Sequence, residues 1–433
     1  MKTLLLLAGQ SKRFWPLTEK PFFPVCGKPL VSHIVERLNK GGCTDIVFIG
    51  SKHNLEEARA LYPAATVVEQ ENLDLGMRGA LLSSLPSCGE EDILIVSAND
   101  VINSEAYHQT VEAGKQEGRQ GAILAQTVDR YFPGGYLSVE NGRIMGIVEK
   151  PGEGNEPSNL VNIVCHYHSD ASVLLGALKD VDESRDDGYE QALAKLFAWH
   201  SYAPVAYSGL WQAVKYPWHL LQLLPSTLSA IEEQSIDTSA KIHPSAVIEG
   251  KVIIAEGVKV MAHASIVGPC YIGPHTIIGN NALVRGSSIG EHCVIGYNTE
   301  VKSSILHSHV WTHSTYIGDS IVGSNVSFGA GTVTGNLRLD EGEIVSTVGD
   351  SRLNTGLTKF GTVIGDNCRI GIRVAINPGV KIGPDSFISS GALIEQDIPS
   401  KSFARLKGGE LVIKPNTTEA PKPAQRDKYK QAM

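Results

Sequence analysis

Hydrophobic and polar positions follow two different rules along this chain, and the change comes near residue 240. In residues 1 to about 225, short apolar runs alternate with stretches of helical spacing. The runs Leu4–Ala8, DIVFIG (45–50), ATVVEQ (65–70) and DILIVSAND (92–100) read as buried strands. Between them, VSHIVERLNKGG and NLEEARALY place apolar residues on one face of a helix. Strands alternating with helices predict a mostly parallel sheet covered on both faces. Such sheets bind ligands at the carboxyl ends of their strands.

From about 240 the period becomes six. Ile364, Ile370, Ile376, Ile382, Ile388 and Ile394 keep it strictly, with Cys368, Val374, Val380, Ser386 and Ala392 four places after the first five. Val260, Ile266, Ile272, Ile278 and Val284 keep it earlier, with Ala264, Cys270, Thr276 and Ala282 in the small slot. This period suits neither a lone helix nor a two-sided strand. It suits a left-handed parallel β-helix, a triangular prism whose aliphatic residues point inward and whose small residues sit where the chain turns. Segment 336–358 breaks the period and reads as an inserted loop. The expected organisation is one domain over 1–228, a β-helix over 236–410, and a polar, Pro-containing, disordered tail over 415–433.

Composition narrows the classes. The chain has 433 residues, 42% of them hydrophobic, and a formal net charge of −8. That charge argues against a nucleic-acid partner or an anionic membrane surface. No apolar run reaches the roughly 18 residues of a membrane span. Lys12 and Arg13 follow the first apolar run rather than precede it, which is the wrong order for a secretion signal. Seven scattered cysteines without CxxC fit a reducing, cytoplasmic setting.

The opening stretch LLLAGQSKRFWPLTEKPFFPVCGKPL resembles the signature of sugar-1-phosphate nucleotidyltransferases, roughly LAAGxGxRxxPLTxxxPKPLxPVxGKPL. The resemblance implies a Rossmann-like α/β domain in which a sugar phosphate oxygen attacks the α-phosphorus of a nucleoside triphosphate. Catalysis of that kind is positioning plus charge neutralisation. Ala8 and Gly9 would let the backbone approach the triphosphate, Arg13 would grip the departing phosphates, and Lys20 would stabilise charge at the α-phosphate. In family order, Asp100 would hold Mg²⁺, Gln70 and Gly76 fall near the base motif, and Gly135, Glu149 and Asn162 resemble sugar-binding positions. Three departures stand out: Ser11 for a common Gly, Met77 for a usual Thr, and Ala213 in the slot that often supplies a second acidic metal ligand.

The stretch HSTYIGDSIVGSNVSFGAGTVTGNLR (313–338) resembles the acetyltransferase domain of the bifunctional GlmU family, especially its archaeal-type members. That implies His313 as the base that deprotonates the sugar amine, with Asn336 orienting it or the substrate. Arg285, Lys302, Tyr316 and Lys359 would clamp phosphate and hydroxyls, and Ala330, Gly371 and Ser390 would line the acetyl-CoA site. Ser327 replaces an Asn of the family pattern.

The resemblance as a whole implies a cytoplasmic homotrimer. It would N-acetylate glucosamine-1-phosphate with acetyl-CoA, then join the product to a uridylyl group from UTP with Mg²⁺. Another nucleoside triphosphate is the alternative donor. Two rival readings are a single-function nucleotidyltransferase with a structural or regulatory β-helix, and a non-catalytic nucleotide-sugar sensor.

Overall fold

The computed structural model describes residues 1–7, 9, 11–182 and 187–430. These form two compact units, one of residues 1–10 and 30–213, the other of residues 11–29 and 214–433.

The first unit is built on one nine-stranded sheet. One side of it is parallel: Ile93–Ser97, Lys2–Leu6, Ile46–Gly50 and Thr66–Glu69 lie side by side in that order, with Leu4 opposite Val47 and Ile95 and Thr66–Glu69 at the edge. All five residues of Ile93–Ser97 are buried, as a strand covered by helices on both faces requires. The helices Leu30–Lys40 and Lys52–Leu61 fall on the two stretches of helical spacing. The sheet is more mixed than expected. Leu160–His168 enters antiparallel beside Ile93–Ser97 and also pairs with Gly121–Thr127 and Gly135–Glu140. A hairpin of Gly135–Glu140 and Arg143–Glu149 ends that edge.

In the second unit the period of six is realised as a left-handed parallel β-helix. Val252 pairs with Cys270, Ser265 with Leu283 and Lys259 with Ile277, eighteen positions on in each case, so three short strands complete one turn of the prism. Every aliphatic of the two hexad series is at most 4% exposed, and they form one continuous core. The position just after an inward aliphatic, such as Gly273 after Ile272, has no room for a side chain because the coils stack there. A Cβ on Gly273 would stand 2.6 Å from the Gly290 carbonyl carbon one coil away. Residues 336–358 leave the prism as expected and carry a hairpin, Val345–Val348 with Ser351–Asn354.

Two features depart from the sequence expectation. Residues 11–29, the heart of the nucleotidyltransferase signature, pack with the β-helix. Trp15 Nε1 donates to Ser400 Oγ at 3.1 Å, Cys26 N donates to Ser288 Oγ at 2.8 Å, and Phe23 meets His307 edge-on at 5.7 Å. The tail carries a helix, Pro423–Lys430, where disorder was expected. The Arg426 guanidinium lies 4.2 Å from the Trp311 ring centre, and Arg369 and Asn325 both donate to the Pro421 carbonyl. These contacts anchor a segment too polar to make a core of its own.

Candidate functional site

Gly9, Gln70 and Asp100 each follow the carboxyl end of a parallel strand, Lys2–Leu6, Thr66–Glu69 and Ile93–Ser97. Ala8 lies outside the described residues. Among the described residues, chain neighbours aside, no atom stands within 4 Å of where a Cβ on Gly9 would be, so packing against them does not account for that glycine. Gln70 is buried, and its amide donates to the carbonyls of Asn72 and Gly76 at 2.9 and 2.8 Å. It braces the loop rather than facing solvent. Gly76 has φ +53°, a left-handed conformation suited to glycine.

Asp100 accepts a hydrogen bond from Trp211 Nε1 at 2.8 Å. The strand Trp211–Ala213 runs antiparallel to Asp100–Ile102 and puts Ala213 directly opposite Asp100. A second carboxylate at 213 would therefore stand beside the first, and this chain has a methyl group there. Among the described residues no group of three His, Cys, Asp or Glu could hold a metal. The donor set suits a cation held partly by substrate phosphates and water, as Mg²⁺ commonly is, and not a cage made of protein alone.

The sugar-binding candidates come together. Glu149 pairs with Gly135 across the edge hairpin, and Asn162 Nδ2 donates to the Gly135 carbonyl at 3.2 Å. A Cβ on Gly135 would lie 2.3 Å from Asn162 Nδ2 and 3.2 Å from Glu149 Oε2, so only glycine leaves that amide in place. Glu190, on the helix Gly188–Trp199, has its carboxyl pushed up to about 7 by burial and by the charge of Glu149.

Arg13 and Lys20 belong to the second unit, Asp100 to the first. Both basic residues sit on single turns, Lys12–Phe14 and Lys20–Phe22. Ser11 takes φ +43°, the conformation that a glycine would adopt easily, and its Oγ accepts from Lys20 N at 3.4 Å. The hydroxyl thus ties the two turns together.

On the β-helix, Arg285, Lys302 and Gly318 occupy one register position on three successive coils. Successive coils are about 4.8 Å apart, so the two basic side chains share one face. Lys302 Nζ lies 3.3 Å from Asp319 Oδ2, and Asn336 Nδ2 reaches the same oxygen at 2.5 Å and Tyr316 Oη at 3.2 Å. Asp319 is the hub of this cluster. The TYIGD match contained it, but the sequence reading gave it no role. Arg285 pairs with Glu300 at 2.6 Å. Leu337 bridges to Lys359, and Phe360 N donates to the Asn336 carbonyl, closing the base of the inserted loop beside Asn336.

His313 is exposed at a corner of the prism, its carbonyl accepting from Thr315 Oγ1 at 2.9 Å. Backbone bonds stack that corner through the coils: Ser314 donates to Tyr297, Gly331 to Ser314, Arg373 to Ala330, and Gly391 to Ile372. Ala330, Gly371 and Ser390 therefore line the same edge as His313. A Cβ on Gly371 would stand 2.5 Å from Ser390 N.

Residues 2–211 match the nucleotidyl transferase family model, and residues 251–286 and 361–396 match the bacterial transferase hexapeptide (six repeats) model. The chain is 30% identical to the bifunctional protein GlmU of Methanococcus maripaludis, over 95% of this chain and 99% of that one. It is 31% identical to the bifunctional sugar-1-phosphate nucleotidylyltransferase/acetyltransferase of Sulfurisphaera tokodaii, over 94% of this chain and 100% of that one. Among solved structures, UDP-glucose pyrophosphorylase from Acinetobacter baumannii is 18% identical with a TM-score of 0.45, covering 53% of this chain and 94% of that one. The chain belongs to the GlmU family of bifunctional sugar-1-phosphate nucleotidylyltransferases/acetyltransferases.

Proposed function

We propose that this protein makes UDP-N-acetylglucosamine in two steps, each on its own architecture. The β-helix moves acetyl from acetyl-CoA to the amine of glucosamine-1-phosphate. The α/β part then directs the phosphate oxygen of N-acetylglucosamine-1-phosphate to the α-phosphorus of UTP, releasing pyrophosphate. The observation that carries the reading is the Lys302–Asp319–Asn336–Tyr316 cluster. A purely structural prism has no need of a half-buried cation, carboxylate and amide on the face next to an exposed histidine.

In the first step the nitrogen–carbon bond forms as the thioester carbon–sulfur bond breaks, and the amine proton goes to His313. The imidazole suits that transfer because its ordinary pKa lies near neutrality. Lys302 and Arg285 meet the sugar phosphate, and Lys359 adds charge beside Asn336. Asn336 and Tyr316, bonded to each other, present polar groups to the sugar. Ala330, Gly371 and Ser390 offer the stacked backbone edge on which the pantetheine arm would lie.

In the second step Gly9 admits the triphosphate to the strand ends, Arg13 neutralises the departing phosphates, and Lys20 neutralises the attacked one. Asp100 would hold Mg²⁺ together with those phosphates; the ion supplies charge neutralisation. Gly135, Glu149 and Asn162 hold the sugar. A cytoplasmic homotrimer completes the reading, by analogy with other hexapeptide acyltransferases.

Coenzyme A release with glucosamine-1-phosphate, and pyrophosphate release across a matrix of triphosphates and sugar-1-phosphates, test the two halves separately. Lys20→Ala should abolish pyrophosphate release and leave acetylation intact; His313→Ala should do the reverse. Absence of coenzyme A release in the wild type would leave a single-function nucleotidyltransferase. Absence of pyrophosphate release with every pair would leave a sensor, the reading that Ala213 opposite Asp100 favours.

A further inference from the structure

Behind Asn162 runs a chain of buried polar side chains that the proposed reaction does not use. Tyr202 Oη lies 2.9 Å from His168 Nδ1, His168 Nε2 lies 3.4 Å from Tyr189 Oη, Tyr189 Oη lies 2.7 Å from His166 Nδ1, and His166 Nε2 lies 3.2 Å from Asn162 Oδ1. The strand Leu160–His168 supplies Asn162, His166 and His168, and the helix Gly188–Trp199 supplies Tyr189. Tyr202 opens the strand Tyr202–Tyr207. Both histidines and both tyrosines are at most 3% exposed. Gly121 leaves room for this arrangement, since a Cβ there would stand 2.4 Å from the Tyr202 ring.

Such a chain has a direction, and the backbone sets it. The Gly135 carbonyl can only accept, so the Asn162 amide nitrogen faces it and Oδ1 faces His166. Oδ1 also only accepts, so His166 carries its proton on Nε2 and offers a lone pair on Nδ1. Tyr189 must then donate to His166 and accept from His168 Nε2–H. His168 Nδ1 in turn accepts from Tyr202 O–H. Every group in the run is satisfied in this one sense. Reversing any link would set two lone pairs or two protons against each other inside the core, where an unmade hydrogen bond is costly.

We propose that Tyr189 and His166 are positioning residues for the sugar site: their directed hydrogen-bond chain locks the Asn162 carboxamide with its NH₂ toward Gly135, so that Asn162 recognises the sugar as a donor and selects an acceptor oxygen on it. The proposal rests on the reading of Gly135, Glu149 and Asn162 as sugar contacts. The histidines suit the task because they stay neutral: burial pushes both imidazoles down to about 3, so no proton arrives at ordinary pH to break the direction.

Tyr189→Phe removes the one group that both accepts from His168 and donates to His166. The variant should raise KM for N-acetylglucosamine-1-phosphate about tenfold, with KM for UTP and kcat within about twofold and acetylation unchanged. A parallel rise in KM for UTP, or lower thermal stability with an unchanged sugar KM, would overturn the positioning role. Nitrogen NMR of histidine-labelled wild type reads the chain without any substrate. Two neutral Nε2–H tautomers at pH 7 are expected, and an Nδ1–H tautomer at His166 overturns the proposal even if Tyr189→Phe fails to fold. If the wild type releases no pyrophosphate with any sugar phosphate, the assignment of the reaction falls instead, and the tautomers still decide the chain.

Discussion

Ala213 sits directly across an antiparallel pair from Asp100, whose carboxylate already accepts the Trp211 indole N–H. Opposed residues on such a pair have Cβ atoms about 4.5–5.5 Å apart, within reach of one shared cation. Ala213→Asp should therefore strengthen metal binding, lowering the Mg²⁺ concentration for half-maximal pyrophosphate release about tenfold. Position 213 is only 7% exposed, so without Mg²⁺ two adjacent carboxylates repel in a poorly solvated place. The variant should melt below the wild type in chelator and regain the difference on adding Mg²⁺. Equal Mg²⁺ titrations for the two proteins would show that position 213 does not face the metal.

Much of this was legible in the sequence, for a physical reason that also sets the limit. The β-helix repeats one local rule, so Ile364 through Ile394 announced their inward direction by spacing alone. Gly135, Glu149 and Asn162 were recognisable only by their order in a family pattern; the edge hairpin and its pairing with the strand Leu160–His168 then brought them together. The positioning partners were not legible. Trp211 is 111 residues from Asp100, and Tyr189 meets His166 from a different element. Buried tyrosines and histidines read as ordinary core until the hydrogen bonds are drawn. The clustering of residues 11–29 with the β-helix was hidden for the same reason, since Trp15 and Ser400 share no local signal.

Gly135 gives a second test. A methyl group there would stand 2.3 Å from Asn162 Nδ2, closer than real side-chain contacts allow. Gly135→Ala should push the amide aside and raise KM for the sugar phosphate at least tenfold. Coenzyme A release should be unchanged, because that chemistry belongs to the β-helix. Steady-state kinetics with each substrate varied in turn would check it.

The two basic residues of the acetyltransferase face should not be equivalent. Lys302 and Asp319 are 18% and 13% exposed, whereas Arg285 and Glu300 are 46% and 30% exposed. An exposed pair contributes about 0–1 kcal/mol, while removing one partner of a poorly solvated pair strands the other charge. Lys302→Ala also leaves the Asp319 carboxylate that holds Asn336 without its cation. It should raise KM for glucosamine-1-phosphate by more than tenfold and lower the melting temperature. Arg285→Ala should raise that KM only a few-fold and leave melting unchanged. Acetylation kinetics and thermal melts of the two variants would reveal the contrast, and equal effects would refute it.

Stability against pH should reflect two buried histidines and one partly buried glutamate in the first unit. His166 and His168 titrate near 3 in the folded chain against an ordinary 6.5, mainly through burial. Between those limits the unfolded chain holds up to two protons that the folded one refuses, so their contribution is lost as pH falls from 6.5 toward 3. Glu190 works in the opposite sense. Its folded value is raised to about 7 from 4.5 by burial and by Glu149, so the folded chain keeps a proton that the unfolded chain releases, and stability is lost as pH rises from 4.5 to 7. From 4.5 to 6.5 the net difference is about one proton, two from the histidines against one from the glutamate. Glu190→Gln removes the opposing group. Urea unfolding of that variant should depend on pH about twice as steeply as the wild type between pH 4.5 and 6.5, and the variant should be the more stable protein at pH 8. An identical slope for the two proteins would mean that Glu190 titrates as an ordinary surface carboxylate.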